Sequence, residues 1–205
     1  MAVPADFRTL DISGRFIMNK TLSDTPSIDN ILSAQGVSWM LRKSIGLGTV
    51  TLGISHYHTP SPSPSSSAEE HIDITETLNP SNIKGTPDRR VLVWDQRVDT
   101  EDWIFGPVGG RTRRLAPVEG VEGLGLVDDD VEWMKSGWTE DTVRDGIIHC
   151  RDESLKTGKK GWVVVQFWGI EEINAERRYT RHLLFTGGDG KVIRARFVYD
   201  YVGPL

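Results

Sequence analysis

The chain has 205 residues, of which 38% are hydrophobic and 26% charged, so a single domain over residues 1–205 is expected to bury a real core. Its formal net charge of -5 gives no basic footprint for nucleic acid. No apolar run approaches the roughly 18 residues of a transmembrane helix, so we expect no integral membrane segment.

The N-terminal residues and the cysteine content indicate where the protein works. The opening MAVPADFRTLDISG has no charged n-region followed by an apolar h-region, so no signal peptide is predicted. Cys150 is the single cysteine, which excludes an intrachain disulfide. Together these features predict a cytoplasmic protein.

Two short helices are predicted within residues 14–54, between two strands. Asp24 or Thr25 can cap the first helix, and Pro26 suits its first turn. Gly36 separates the two helices, and a glycine stop at 46 or 48 ends the second. A helical pair at this place predicts a lid over a barrel.

About ten antiparallel strands are predicted from alternation and β-branched content. Their segments are residues 15–18, 49–57, 71–78, 90–98, 103–114, 147–152, 162–168, 177–186 and 191–202. A turn is expected at 99–102, and the GGDG sequence at 187–190 predicts a closing hairpin. The fold class is therefore mostly β, an up-and-down barrel with a helix-turn-helix lid near the N-terminus.

Two segments are predicted to be loops. Residues 58–70 read HTPSPSPSSSAEE, a proline- and serine-rich run expected to form a mobile loop within the domain. Residues 115–137 are loop-like, although the acidic run 128–130 can begin a short helix that reaches Met134.

Several stretches of the chain carry a family resemblance. They are Gly14, Phe16, Gly36–Val37 through Leu41–Lys43, Thr49–Leu52 and Val198–Asp200. With these residues the chain resembles the intracellular fatty-acid-binding proteins, in the calycin group that includes the lipocalins. The resemblance implies a ten-stranded barrel of two nearly orthogonal sheets that holds a hydrophobic molecule beneath a helical portal.

One departure from that family bears on the ligand. The family holds a fatty-acid carboxylate with an Arg-x-Tyr pair on its last strand; here Tyr199 is present, but Phe197 stands at the arginine position. An internal arginine can come instead from Arg177 or Arg181. We therefore expect a bulky hydrophobic or aromatic small molecule rather than the usual fatty acid.

Candidate ligand-binding residues are large rings and one amide on predicted strands and on the lid. They are Trp39, Trp94, Gln166, Trp168, Phe197 and Tyr199. Alternation places Phe197 and Tyr199 on one face of the last strand, and Gln166 and Trp168 on one face of theirs. The alternative is that the rings fill the core and that Gln166 bonds a neighbouring side chain or water.

Candidate catalytic residues are ionisable groups on predicted strands. They are Asp95, Arg97, His149, Arg177 and Arg181. In a dry barrel a carboxylic acid has a raised pKa and can protonate a ligand, while a nearby arginine stabilises an anion. The alternative for each residue is cross-strand ion pairing on the barrel exterior.

Two functions fit this sequence. The first is a carrier or sequestering protein for a hydrophobic molecule in a lidded barrel. The alternative is a cofactor-independent cyclase or isomerase that acts on a polyketide- or terpenoid-like substrate by acid–base chemistry in the same cavity. No cofactor and no metal are called for, because His56, His58 and His71 are interpreted as surface residues. The oligomeric state is left open.

Overall fold

A computed structural model describes residues 1–60, 68–115, 127–156 and 161–205. The centre of the predicted Pro/Ser loop lies outside the described residues, and so does the first half of the predicted loop at 115–137. The ends of the Pro/Ser segment, at 58–59 and 69–70, belong to strands.

The described elements follow the chain in this order. They are β1 Gly14–Met18, α1 Thr25–Ala34, α2 Trp39–Leu47, β2 Thr49–Thr59, β3 Glu69–Asn79, β4 Ile83–Lys84, β5 Asp88–Val91, β6 Val98–Asp102, β7 Gly106–Leu115, α3 Asp128–Lys135, α4 Glu140–Asp145, β8 Ile147–Ser154, β9 Trp162–Ile173, β10 Glu176–Gly187 and β11 Val192–Gly203.

The strands form one antiparallel sheet that curls into a half-barrel. Ten of them run side by side in the order β4-β3-β2-β1-β11-β10-β9-β8-β7-β6, and β5 pairs with β3 next to β4. Because β1 lies between β2 and β11, the first and last strands join within the sheet. The predicted mostly-β fold class, with its helix pair near the N-terminus, is confirmed. The two orthogonal sheets implied by the family resemblance appear here as one continuous sheet.

The strand predicted at 90–98 is wrong in its second half. Strand β5 ends at Val91, and the N–H of Gln96 closes a turn on the carbonyl of Val93 at 2.9 Å. The predicted turn at 99–102 lies instead in β6, which pairs with β7. A pattern of alternating apolar residues predicts a strand whether or not a neighbouring strand is available to pair with it.

The helical lid forms where its capping residues predict it. Asp24 accepts a hydrogen bond from the Ser27 N–H at 3.3 Å, and Ser38 accepts one from the Leu41 N–H at 3.4 Å. Between the helices Gly36 has a φ of 84°, a conformation that favours glycine. None of the described helices has the length and apolar character that crossing a bilayer requires.

The sheet carries an apolar layer on each face. The concave face is packed with aromatic and branched side chains, among them Phe16, which contacts Phe7, Tyr179 and Tyr201. The convex face buries a smaller cluster beneath α3, centred on Met134. The larger apolar cluster, on the concave side, also packs against α1 through Ile28 and Ile31.

The two edges of the curled sheet meet where β5 lies against β6 and β7. Among the described residues these strands share no backbone pairing, so side chains hold the seam. Glu70 on β3 bonds His56 on β2 at 2.8 Å, and it also accepts hydrogen bonds from Arg114 on β7. Burial alone would raise the pKa of Glu70, but these hydrogen bonds outweigh it and lower the pKa from 4.5 to about 2.

This contact predicts a stability change in acid. Because the folded-state pKa of Glu70 is depressed, its contribution is present above about pH 4.5 and is lost as the pH falls towards about 2. We expect Glu70→Gln to flatten the fall in free energy of unfolding between about pH 5 and about pH 2. Urea unfolding at each pH measures this free energy, with Glu69→Gln as the control at the neighbouring position. Equal acid dependence of wild type and Glu70→Gln would contradict the assignment.

Candidate functional site

A cavity of about 340 Å³ lies between the lid and the concave face of the sheet. The lid contributes apolar side chains, including Ile28, Ile31 and Ile45. The barrel wall contributes more of the same kind, together with ionisable and amide side chains that include Arg90, Asp152 and Arg181. A concave, largely apolar space with convergent polar groups is the usual form of a small-molecule site.

Arg181 places a charge in the middle of the inward-facing row of β10. Its neighbours in this row, Tyr179, Leu183 and Phe185, are buried and uncharged, while Arg177 of the same row pairs with Asp141 at the barrel end. Its guanidinium carbon lies 4.0 Å from the Trp168 ring centre, and its Nε donates to the Tyr179 hydroxyl at 3.0 Å.

The charge of Arg181 is not met by an acid in contact with it. Among the described residues no carboxylate forms an ion pair with this guanidinium, and its buried Nη2 has no hydrogen-bond partner. Burial raises the pKa of the Tyr179 phenol to about 12, so this neighbour stays neutral. A buried cation with a free donor is poised for an oxygen atom of a ligand.

A second polar group on the cavity wall is a buried ion pair between β5 and β8. Arg90 donates from Nη1 and Nη2 to the two oxygens of Asp152 at 3.1 and 3.2 Å, and from Nε to Asp88 at 2.8 Å. Asp152 also accepts from the Gln166 amide at 3.1 Å, and Gln166 accepts from the Trp168 indole at 3.0 Å. The wall beneath Arg181 is therefore held by one continuous hydrogen-bonded chain.

Because Gly110 has no side chain, it leaves room for the ion pair between Arg90 and Asp152. A Cβ at this position would lie 2.8 Å from Oδ1 of Asp152 and 4.0 Å from Nη1 of Arg90. Burial raises the pKa of Asp152, and the Arg90 guanidinium opposes that shift.

Glu76 places a further ionisable group at the cavity, from β3. It has the same parity as Glu70 and as the buried residues Ile72, Ile74 and Leu78, but its own side chain is exposed to solvent. Desolvation by the surrounding protein raises the pKa of Glu76, and Arg181 is the strongest of the charges that lower it. The cavity thus contains an acid and a cation whose charges interact.

Of the residues predicted from sequence, four line this cavity. Gln166, Phe197, Tyr199 and Arg181 all face it. Trp168 lies one layer deeper, where it is fully buried and carries Arg181 and Arg90 on its ring.

The structure places the two other candidate tryptophans outside the cavity. Trp39 begins α2 and is 65% exposed, with Lys43 near its ring. Trp94 stacks on His149 at 4.7 Å between ring centres and on Arg113 at 4.4 Å, on the convex side. Ring size alone does not tell which side of a sheet a tryptophan covers.

Four of the catalytic candidates also lie away from the cavity. Asp95 and Arg97 are exposed, and Arg97 pairs with Asp99 at 2.7 Å. Arg177 donates to Asp141 of α4 at 2.7 and 2.9 Å and to the Phe7 carbonyl, which ties the barrel end together.

His149 is buried on the convex side. Arg113 donates to its Nδ1 at 3.1 Å, and its ring meets Phe167 edge-on. Burial and the nearby arginines lower its pKa to about 3, so it is neutral at ordinary pH. His149 and Asp152 lie on opposite faces of β8, and the face that carries Asp152 lines the cavity.

Several ionisable cavity residues escaped the sequence interpretation, among them Glu76, Arg90 and Asp152. Glu76 offered a weak signal, because it interrupts the alternating apolar residues Ile72, Ile74 and Leu78. Of the two arginines considered as substitutes for the residue at position 197, Arg181 faces the cavity, since Arg181 on β10 pairs directly with Phe197 on β11. The guanidinium thus comes from the neighbouring strand and lies 5.4 Å from the Tyr199 ring centre.

Comparison with known proteins gives one informative similarity. No protein-family model matches the chain. The chain is 29% identical over 203 residues to a probable pericyclase, scpY, of Mollisia scopiformis, and the match covers 99% of this chain and 96% of that protein. The similarity extends across the half-barrel and its lid alike.

Breaking the Arg90–Asp152 pair is expected to destabilise the protein strongly. Asp152→Asn leaves part of a buried guanidinium charge uncompensated, which costs about 3–5 kcal/mol in free energy of unfolding. Urea denaturation measures the loss. Asp99→Asn is the matched control, because its pair with Arg97 is exposed and contributes at most about 1 kcal/mol. Equal stability of the two variants would show that the buried pair does not hold the seam.

Proposed function

We propose that this protein is a cofactor-independent cyclase that closes a ring in a polyketide- or terpenoid-like substrate inside the lidded cavity. The observation that carries the proposal is Arg181, a buried guanidinium with a free donor in an apolar chamber. The similarity to a probable pericyclase over almost the whole chain supports the same class of activity.

A ring closure of the pericyclic type suits the chemistry of this cavity. Such a reaction needs either the two ends of one conjugated π-system or two π-systems of one substrate held close together, and it needs no nucleophilic side chain and no redox cofactor. Apolar walls under a lid favour a folded substrate over an extended one, which supplies the entropic part of the rate enhancement.

Arg181 supplies the electrostatic part of the rate enhancement. A carbonyl conjugated with one π-system gains negative charge as the ring closes, and a preorganised guanidinium stabilises that charge. Trp168 and Tyr179 fix the guanidinium from two sides, so little reorganisation is needed when the charge develops. Tyr199 and Phe197 form the wall against which the substrate chain packs.

The carrier hypothesis uses the same cavity and differs in turnover. A carrier would return its ligand unchanged, whereas a cyclase releases an isomer of equal mass and different shape. The pericyclase relative favours the enzyme, and the apolar cavity by itself is compatible with both functions.

Removal of the guanidinium separates catalysis from binding. The purified protein is incubated with linear polyenes that end in a ketone, an aldehyde or a carboxylic acid, and products are followed by liquid chromatography and mass spectrometry. We expect Arg181→Gln to lower the cyclisation rate about 10²–10³-fold, as the loss of one charge-stabilising donor does. Arg97→Gln is the control, because that arginine is exposed outside the cavity.

Two outcomes would contradict the proposal. Equal turnover by Arg181→Gln and wild type would remove the guanidinium from the reaction. Tight binding of polyenes that all return unchanged would support the carrier hypothesis instead. Circular dichroism and a thermal melt of each variant establish that the fold is intact.

A further inference from the structure

We propose that Glu76 and Arg181 form a proton-transfer pair, so that the cavity also enolises a carbonyl substrate. This inference rests on the proposed function, because it assigns a second step to the same chamber. The step would generate the conjugated dienol or shifted double bond that ring closure then uses.

Glu76 is available for chemistry in a way that the other cavity acids are not. Asp88 and Asp152 are engaged by Arg90, and Asp102 accepts the N–H groups of Ile104 and Phe105 at 2.7 and 2.8 Å. Among the described residues, the Glu76 carboxylate has neither an ion-pair partner nor a hydrogen-bond donor. It nevertheless lines the cavity, and its side chain is accessible from it.

The backbone holds Glu76 in place. The Gly85 N–H donates to the Glu76 carbonyl at 2.9 Å, and a Cβ at Gly85 would approach the Glu76 Cβ at 3.2 Å. Leu52 pairs with Glu76 across the strands, which fixes its inward direction within an apolar row.

Arg181 complements Glu76 electrostatically. Glu76 and Arg181 line the same cavity; desolvation by the surrounding protein raises the pKa of Glu76, which makes its carboxylate a stronger base, while the Arg181 charge limits the shift. A base and a fixed cation in one small chamber are the two groups that enolisation requires: one takes the proton and the other holds the oxyanion.

The step balances without a further reactant. The Glu76 carboxylate removes a proton from the carbon next to the substrate carbonyl, or from the vinylogous position of an enone. The C–H electron pair becomes a carbon–carbon double bond, and the carbonyl π-pair moves to oxygen, where Arg181 donates to it. Because Glu76 is exposed to solvent, the proton that it has taken can exchange with water; Glu76 then returns a proton to oxygen, giving the enol, or to another carbon, giving the shifted isomer.

Hydrogen–deuterium exchange tests this step apart from ring closure. The full-length protein is incubated with β-ionone, a terpenoid polyenone, in D₂O, and deuterium at the carbons adjacent to and conjugated with the ketone is followed by NMR. We expect wild type to accelerate exchange and Glu76→Gln to lose about 100-fold of that acceleration. Asp73→Asn is the matched control, because Asp73 lies on the opposite face of the same strand.

The outcomes distinguish the two proposals. Isothermal titration calorimetry is expected to give similar β-ionone affinities for wild type and Glu76→Gln, so that the loss lies in the rate and not in binding. Polyene cyclisation without wild-type exchange above the Glu76→Gln rate overturns this inference and leaves the cyclase. Exchange that depends on Glu76 without cyclisation of any polyene supports the pair and contradicts the cyclase.

Discussion

The buried ion pair between Arg90 and Asp152 is the contact on which the rest of the structure depends. It joins β5 to β8 across the seam of the curled sheet. It also places two opposite charges that neutralise each other in a wall that is otherwise largely apolar. Through Gln166 it also orients Trp168, whose ring carries Arg181. The same interaction therefore closes the half-barrel and positions the cation that we assign to catalysis.

The cavity combines a largely apolar lining with charged side chains at fixed positions. Its apolar lid and walls accept many hydrophobic shapes, because dispersion and burial are not directional. Under our proposals, specificity comes from Arg181 and Glu76, which we assign to one oxygen and one proton of the enclosed substrate. The carrier hypothesis and the proposed cyclase therefore concern the same cavity and differ in whether these two groups act on the ligand.

Local features of the sequence were enough for the helices and most strands, because capping residues, glycine stops and alternation act within a few residues. They failed where the answer lies on another strand. Trp94 and Asp95 read as an inward strand, but a turn carries them outward, and no local signal records the missing neighbour. The sequence named Arg177 and Arg181 as substitutes for an arginine at position 197 but could not choose between them; the register of Arg181 with Phe197 follows from the pairing of β10 and β11.

The seam between β5 and its facing strands has one more consequence. A backbone ladder changes only in whole steps, since slipping by one residue turns every side chain to the other face. A closure made by side chains has no such step size: a longer or shorter residue at the seam widens or narrows the chamber by fractions of an ångström. Divergent proteins with this architecture can therefore retune the width of the enclosed space gradually, while each strand keeps its partner.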